Sequence, residues 1–303
     1  MSFKTYLQKL GNGEGTIRQK LNYTIYFFNW QESEHLQIET VRYNDLLNFI
    51  DYSKLEGKSI KYINSTLRAI RNYYDYLKQS NPDLTNPAGN LYLKGTRHKL
   101  PAGIIDYKEL ELIYEAYPNG TNREKRNKVI LGLLIYQGLT TEELHRLKAE
   151  YLKLKEGKIL VPGNHRRNSR TLELKPFQIL ELYEYVNEVK PSIIREIGKV
   201  SPSRKPNQIN KDRINEQLFI SINGSENIKN SLLHLFKEIR KKYPEVKNAK
   251  QIRSSVIVYR LKNFNLRQVQ YFAGHKYVSS TERYQLNNLE SLKSKLKKYH
   301  PLS

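Results

Sequence analysis

Between Arg253 and His275 the apolar residues Val256, Tyr259, Leu261, Leu266, Val269 and Phe272 recur at helical spacing, with Asn263 and Asn265 interrupting the run. Two helices joined by a turn satisfy this pattern, the second ending at Gly274 as a left-handed C-cap. That glycine is the main constraint on the fold of this region, because a chain reversing there returns His275 toward Arg253. Tyr284 follows His275 by nine residues and reads as part of a further short helix. A guanidinium, an imidazole and a phenol are thus predicted to meet around one anion. Arginine and histidine donate to phosphate oxygens, and a tyrosine hydroxyl can attack phosphorus.

Taken singly, each residue has an ordinary reading: Arg253 as an ion-pair residue, His275 as a turn residue, Tyr284 as a core tyrosine. The ordered set is more specific. The stretch Tyr271-Phe-Ala-Gly-His-Lys-Tyr-Val-Ser-Ser-Thr-Glu-Arg-Tyr284 resembles the C-terminal motif of the tyrosine recombinases, the phage integrase family, in which a Gly-His pair precedes a Thr and then the nucleophilic Tyr. Thr281 and Tyr284 fall at those places. Lys250-Gln-Ile-Arg253 aligns with the family's His-x-x-Arg box, with Lys250 in place of the histidine. The resemblance implies Tyr284 as nucleophile, with Arg253, His275 and Lys250 around the phosphate. It further implies a two-domain, mainly helical clamp around DNA, with a helical core-binding domain, a linker and a larger catalytic domain.

Two departures from the family pattern stand out. Gly138-Leu-Thr-Thr-Glu-Glu-Leu144 resembles the family's Gly-Leu-Arg-x-x-Glu-Leu motif, but Thr140 replaces the first catalytic arginine. The loop Asn164-His-Arg-Arg-Asn-Ser-Arg170, between two predicted strands at 158–161 and 171–174, lies where the family carries a catalytic lysine, and it has none. Losing one oxyanion donor typically costs about 10²–10³ in rate. The candidates to take over are His165, Arg166 and Arg167 in the loop and Arg146 on the helix after Thr140.

Composition supports a polyanion partner. The chain of 303 residues has 52 Lys and Arg against 30 Asp and Glu, a net charge of +22; an excess of this size is the footprint of a nucleic-acid binder. No basic amphipathic helix stands out as a lipid anchor, so a nucleic acid is favoured over a membrane; the family resemblance implies that it is double-stranded DNA, with no small-molecule substrate. The absence of cysteine excludes disulfides and thiolate metal sites. The histidines show no ligand spacing and no glycine-rich phosphate loop follows a strand, so no metal or other cofactor is expected. The amino terminus lacks a signal-peptide core, and the longest apolar run, Val129 to Tyr136, is too short to span a bilayer. A soluble, cytoplasmic protein is expected.

Residues 1–95 read as all helical, and the resemblance implies that they form the core-binding, DNA-binding domain. Thr16 with Gln19 suggests a capping box, with Ile17, Leu21, Ile25 and Phe28 on one face. Tyr43 to Tyr52 suggests a second helix, with Leu46, Leu47 and Ile50 inward. Ser59 caps a third helix whose apolar residues Ile60, Ile63, Leu67, Ile70, Tyr74 and Leu77 share a face. Lys61, Arg68, Arg71 and Lys78 form a basic stripe beside it, either a solvated face or a set of phosphate contacts. The helical pattern breaks from Asn81 to Leu100, which reads as a connecting region, with the linker proper at 96–104. A catalytic domain is expected over 105–303, opening on a helix capped by Asp106. Phe177 to Val189 reads as an amphipathic helix, 198–214 as a polar loop, and Leu218 to Ile222 as extended. Leu286, Leu289, Leu292 and Leu296 stripe a C-terminal helix over 286–298. In relatives such a helix docks on a neighbouring subunit, which implies a homotetramer on DNA.

The function implied is site-specific recombination or integration through a 3′-phosphotyrosyl intermediate, as a chromosome or mobile-element recombinase. There are three alternatives: a type IB topoisomerase-like activity; a non-catalytic DNA-binding integrase, which Thr140 and the lysine-free hairpin favour; and a basic helical nucleic-acid binder unrelated to the family, in which Arg253, His275 and Tyr284 would not converge.

Overall fold

The computed structural model describes residues 2–95, 103–199, 216–223 and 227–285. The chain divides into two compact units, Met1–His98 and Lys99–Ser303.

The first unit is helical: α1 (Phe3–Lys9), α2 (Glu14–Ser33), α3 (Tyr43–Leu55) and α4 (Ile60–Leu77). Its core is aromatic and branched-aliphatic, with Phe27, Trp30, Leu46, Phe49, Ile50, Ile63, Leu67, Ile70 and Tyr74 all buried. Ser59 caps α4 as predicted, its hydroxyl accepting from the Tyr62 amide. Three local expectations are corrected. Helix α2 starts at Glu14 behind Gly13, so Thr16 lies inside it, and its buried side is Ile17, Thr24, Phe27 and Trp30. Ile25 and Leu47 are exposed, because the large aromatic residues one or two positions away take the core-facing places. The segment from Asn81 to Gly95 is no free connector. Leu84, Ala88 and Leu91 enter the core, and Asn64 on α4 pairs with both backbone groups of Leu93 at 2.9 Å. A proline- and glycine-rich stretch is held here by side-chain amides, which satisfy the backbone that lacks a helix or sheet.

The second unit is built around α6 (Asn122–Tyr136), whose residues Val129 to Tyr136 are all buried. Helix α5 (Tyr107–Glu115), capped by Asp106 as expected, packs against it, and α7 (Thr141–Arg146) follows it in the chain. A three-stranded antiparallel sheet follows, β1 (Leu152–Lys153), β2 (Lys158–Val161) and β3 (Arg170–Glu173), in that order. The register pairs Val161 with Arg170 and Ile159 with Leu172. Strand β1 has too few residues to show an alternating pattern in the sequence.

Helix α8 (Pro176–Glu184) continues through a π-helical turn, Tyr185–Val189, into α9 (Lys190–Lys199). The helical path therefore extends past the predicted end at Val189. Pro191 has no amide hydrogen to donate, and the widened turn before it accommodates that missing bond. The segment predicted as extended, 218–222, forms no strand; Gln217 beside it makes an isolated antiparallel bridge to Lys148, and α10 (Lys229–Lys242), α11 (Ala249–Asn263) and α12 (Leu266–Ala273) follow. A last helical stretch begins at Ser279 and carries Thr281 and Tyr284. The predicted linker 96–104 is described only from Gly103, and the loop 198–214 only to Lys199. The C-terminal helix at 286–298 lies outside the described residues. No helix among the described residues is long and apolar enough to cross a membrane.

Candidate functional site

Four elements of the second unit bring their polar ends together: the start of α7, the hairpin between β2 and β3, α11, and the turn after α12. Gly274 forms that turn with φ of 64°. A Cβ there would also lie 2.5 Å from Arg170 Nη1 and 3.1 Å from the Asn168 carbonyl. The position thus requires glycine for its conformation and for its packing.

Glu143 is the hub. Its side chain is 3% exposed and meets Arg170 Nη1 at 2.7 Å through Oε1. Its Oε2 lies 3.5 Å from Arg167 Nη1 and 3.9 Å from Arg253 Nη1. Burial alone would raise the Glu143 pKa; the Arg170 hydrogen bond and charge, the Arg253 charge and the Thr140 amide outweigh it and bring the pKa to about 2. Three guanidiniums around one carboxylate leave the cluster with an excess of positive charge.

Arg253 is buried on α11. It donates to the carbonyls of Gly138 and Ala273, so it ties the entry to α7 to the end of α12. Burial lowers its pKa to about 10, with Glu143 acting in the opposite sense, and it stays protonated at neutral pH. Its Nη2 lies 3.3 Å from His275 Nε2, and His275 Nδ1 lies 2.8 Å from Thr281 Oγ1. Arginine can only donate, so Nε2 is the acceptor and Nδ1 carries the ring hydrogen toward Thr281. Burial, and then the charges of Arg253, Arg167 and Arg170, lower the His275 pKa to about 3. The imidazole is therefore neutral at pH 7. Its ring stacks beside Tyr284 with centroids 6.1 Å apart. Tyr284 is half-buried against Ile257, Val269 and Ala273. Lys250 sits one turn before Arg253 on α11, exposed to solvent.

Thr140 is the N-cap of α7 in a reciprocal capping box. Its Oγ1 accepts from the Glu143 amide, and Glu143 Oε2 accepts from the Thr140 amide and hydroxyl. Arg167 Nη1 donates to the same Thr140 Oγ1 at 2.6 Å. Arg146 instead lies 3.9 Å from Glu142 on its own helix, with its side chain 46% exposed. His165 and Arg166 are exposed on the hairpin. In the first unit Lys61, Arg68 and Lys78 are exposed on or at the end of α4. Arg71 differs from them: it donates to the carbonyls of Ala88 and Leu91 and so holds the 81–95 segment.

Sequence reasoning brought Arg253, His275 and Tyr284 together as the structure does. It gave no role to Arg170, whose side chain donates to Glu143 and to the Phe272 carbonyl. The parity of β3 carried the signal. Leu172 and Leu174 point inward, which puts Arg170 on the buried face two residues earlier. An inward arginine in a strand demands a buried acid.

The second unit is thus a mainly helical domain with a small antiparallel sheet, which crowds three guanidiniums around one carboxylate beside a histidine and a tyrosine. The chain belongs to the phage integrase family, whose model matches residues 104–290. It is similar to the tyrosine recombinase XerD of Listeria innocua, 24% identical over 281 residues that cover 91% of this chain and 89% of the relative. It is also similar to XerC of Staphylococcus epidermidis, 22% identical over 95% of this chain and 92% of the relative. Among solved structures, the XerH recombinase in a post-cleavage complex with a palindromic difH substrate matches with a TM-score of 0.69 and 20% identity, covering 92% of this chain and 78% of that one. The Tn1549 transposon integrase with circular intermediate DNA matches with a TM-score of 0.62 and 18% identity, covering 94% and 95%. These structures share its fold.

Proposed function

We propose that this protein is a site-specific DNA recombinase that cuts and rejoins strands through a 3′-phosphotyrosyl intermediate on Tyr284. The observation that carries the reading is the convergence of Arg253, His275 and the Tyr284 ring at the Gly274 turn, beside a positively charged cluster.

In this reaction Tyr284 Oη attacks the scissile phosphorus and the bond to the 5′-oxygen breaks. The phenolic proton is released and the 5′-oxygen takes one up, so protons and charge balance. The phosphodiester energy is kept in the new bond, and no external cofactor is needed to reseal the strand. Arg253 stands ready to neutralise charge that builds on the non-bridging oxygens. Lys250, at the outer end of the same helix, adds a cationic donor. His275, neutral and held by Thr281, orients Arg253 through Nε2 and lies against the nucleophile's ring. Lys61, Arg68 and Lys78 contact phosphates along the duplex and position it without reading sequence. Strand exchange between two sites calls for four copies, and the Leu-striped segment 286–298 is the proposed coupling element.

The test is recombination in the presence of EDTA between two plasmid-borne copies of the DNA flanking the gene. Exchanged products support the reading. Supercoil relaxation without exchange would indicate a topoisomerase, and tight binding with neither outcome would indicate a non-catalytic DNA-binding protein.

A further inference from the structure

We infer that Arg167 supplies the transition-state guanidinium that Thr140 cannot, so that one of the two arginines on the scissile phosphate comes from the β2–β3 hairpin. The inference rests on the proposed reading of Tyr284 as nucleophile.

Arg167 and Arg253 flank the same Glu143 oxygen, at 3.5 and 3.9 Å. Arg167 also donates to Thr140 Oγ1, so its guanidinium lies at the mouth of the α7 cap, where a side chain leaving position 140 begins. Its backbone is pinned on both sides. Asn164 and Arg167 exchange backbone hydrogen bonds at 2.8 and 3.2 Å, Arg167 bridges to His275, and the Asn168 amide donates to the Gly274 carbonyl at 3.1 Å. A residue fixed in this way can present a guanidinium with little reorganisation, which is what a preorganised charge stabiliser requires.

The side chain is also placed to receive an anion. It is 27% exposed, whereas Arg170 is fully buried with its fork turned to Glu143 and the Phe272 carbonyl. Among the described residues only Nη1 of Arg167 is engaged, which leaves the rest of the fork available for phosphate. Among the described residues neither Arg146 nor Arg166 bonds to Thr140 or Glu143: Arg146 lies beside Glu142, and the Arg166 amide donates to Asn164 Oδ1. The exchange is reciprocal: a threonine at 140 closes the capping box, and its hydroxyl oxygen becomes a hydrogen-bond acceptor for Arg167.

The test compares Arg167→Ala, Arg167→Lys and the double variant Thr140→Arg/Arg167→Ala with the unaltered chain. Each is assayed for covalent adduct on nicked duplexes of the flanking DNA. One set of duplexes carries an ordinary scissile phosphate; the other carries a methylphosphonate, a neutral diester with no charge to neutralise. Arg167→Ala is expected to lose about 10²–10³ in adduct rate on phosphate, but less than about tenfold on methylphosphonate. Thr140→Arg in the double variant restores most of the loss on phosphate. Arg167→Lys keeps the charge without the fork and falls between; it carries the comparison if the alanine variant does not fold. A phosphate rate within about threefold of the unaltered chain, or an equal loss on both diesters, would overturn the assignment. No adduct from the unaltered chain would instead overturn the reading of Tyr284, and the inference with it.

Discussion

Arg170 and Glu143 face each other at 2.7 Å with side chains 0% and 3% exposed, an ion pair inside the domain core. The pair joins β3 to α7, and Arg170 reaches on to the carbonyl of Phe272 just before the Gly274 turn. A buried pair of this kind resists the loss of one partner far more than its net contribution suggests, because a lone buried charge remains. Arg170→Leu is therefore expected to lower stability by about 3–5 kcal/mol, read as a fall in the urea midpoint. Adduct formation should fall with it, since the His275 turn loses its anchor.

The same cluster sets an acid sensitivity. Glu143 has its pKa lowered from 4.5 to about 2, so its contribution is full above pH 4.5 and is lost as pH falls through 2. At about 1.4 kcal/mol per pKa unit this contribution is about 3 kcal/mol. His275 has its pKa lowered from 6.5 to about 3, so between those values the unfolded chain binds a proton that the folded chain refuses. Its effect is also destabilising as pH falls, and it begins at 6.5. Urea unfolding across pH 3 to 7 should show stability declining from about pH 6.5 downward. His275→Gln should flatten the profile above pH 4.5 while leaving the Glu143 loss below it. An unchanged slope between pH 5 and 6.5 would contradict the neutral imidazole.

At Gly274 an added Cβ meets both a left-handed backbone, φ of 64°, and the Arg170 guanidinium at 2.5 Å. Gly274→Ala should cost about 1–2 kcal/mol from conformation alone, with more from the displaced arginine. The urea midpoint measures the total. Gly11, with φ of 73° and open space around it, supplies the control, and Gly11→Ala should show the conformational cost alone.

The convergence at this turn was legible in the sequence because it depends on helix spacing and one glycine. The charge network beneath it was less so. The departure at Thr140 is plain in the sequence but its contact with Arg167 is not, and Arg170 reads as part of a polar loop until its strand parity is followed inward. In the N-terminal unit the basic stripe on α4 was legible, but the separate role of Arg71 was not. Its partners, the carbonyls of Ala88 and Leu91, belong to an irregular segment with no periodicity to read.

That difference gives a further prediction. Lys61→Ala and Arg68→Ala should leave stability within about 0.5 kcal/mol and weaken DNA binding. Each should also lower the slope of log affinity against log salt by about 0.9. Arg71→Ala strands two carbonyls and should reduce stability by about 1–3 kcal/mol. Urea unfolding and salt-dependent binding titrations separate the two effects.

Tyr284 is expected to become covalently joined to a DNA 3′ end. The most direct measurement incubates the protein, without metal, on nicked duplexes of the flanking DNA. Any denaturation-resistant adduct is then digested and the modified peptide located by mass spectrometry. The expected result is an adduct with the nucleotide on Tyr284, absent from Tyr284→Phe. An adduct that persists in Tyr284→Phe, or that maps to another residue, would contradict it.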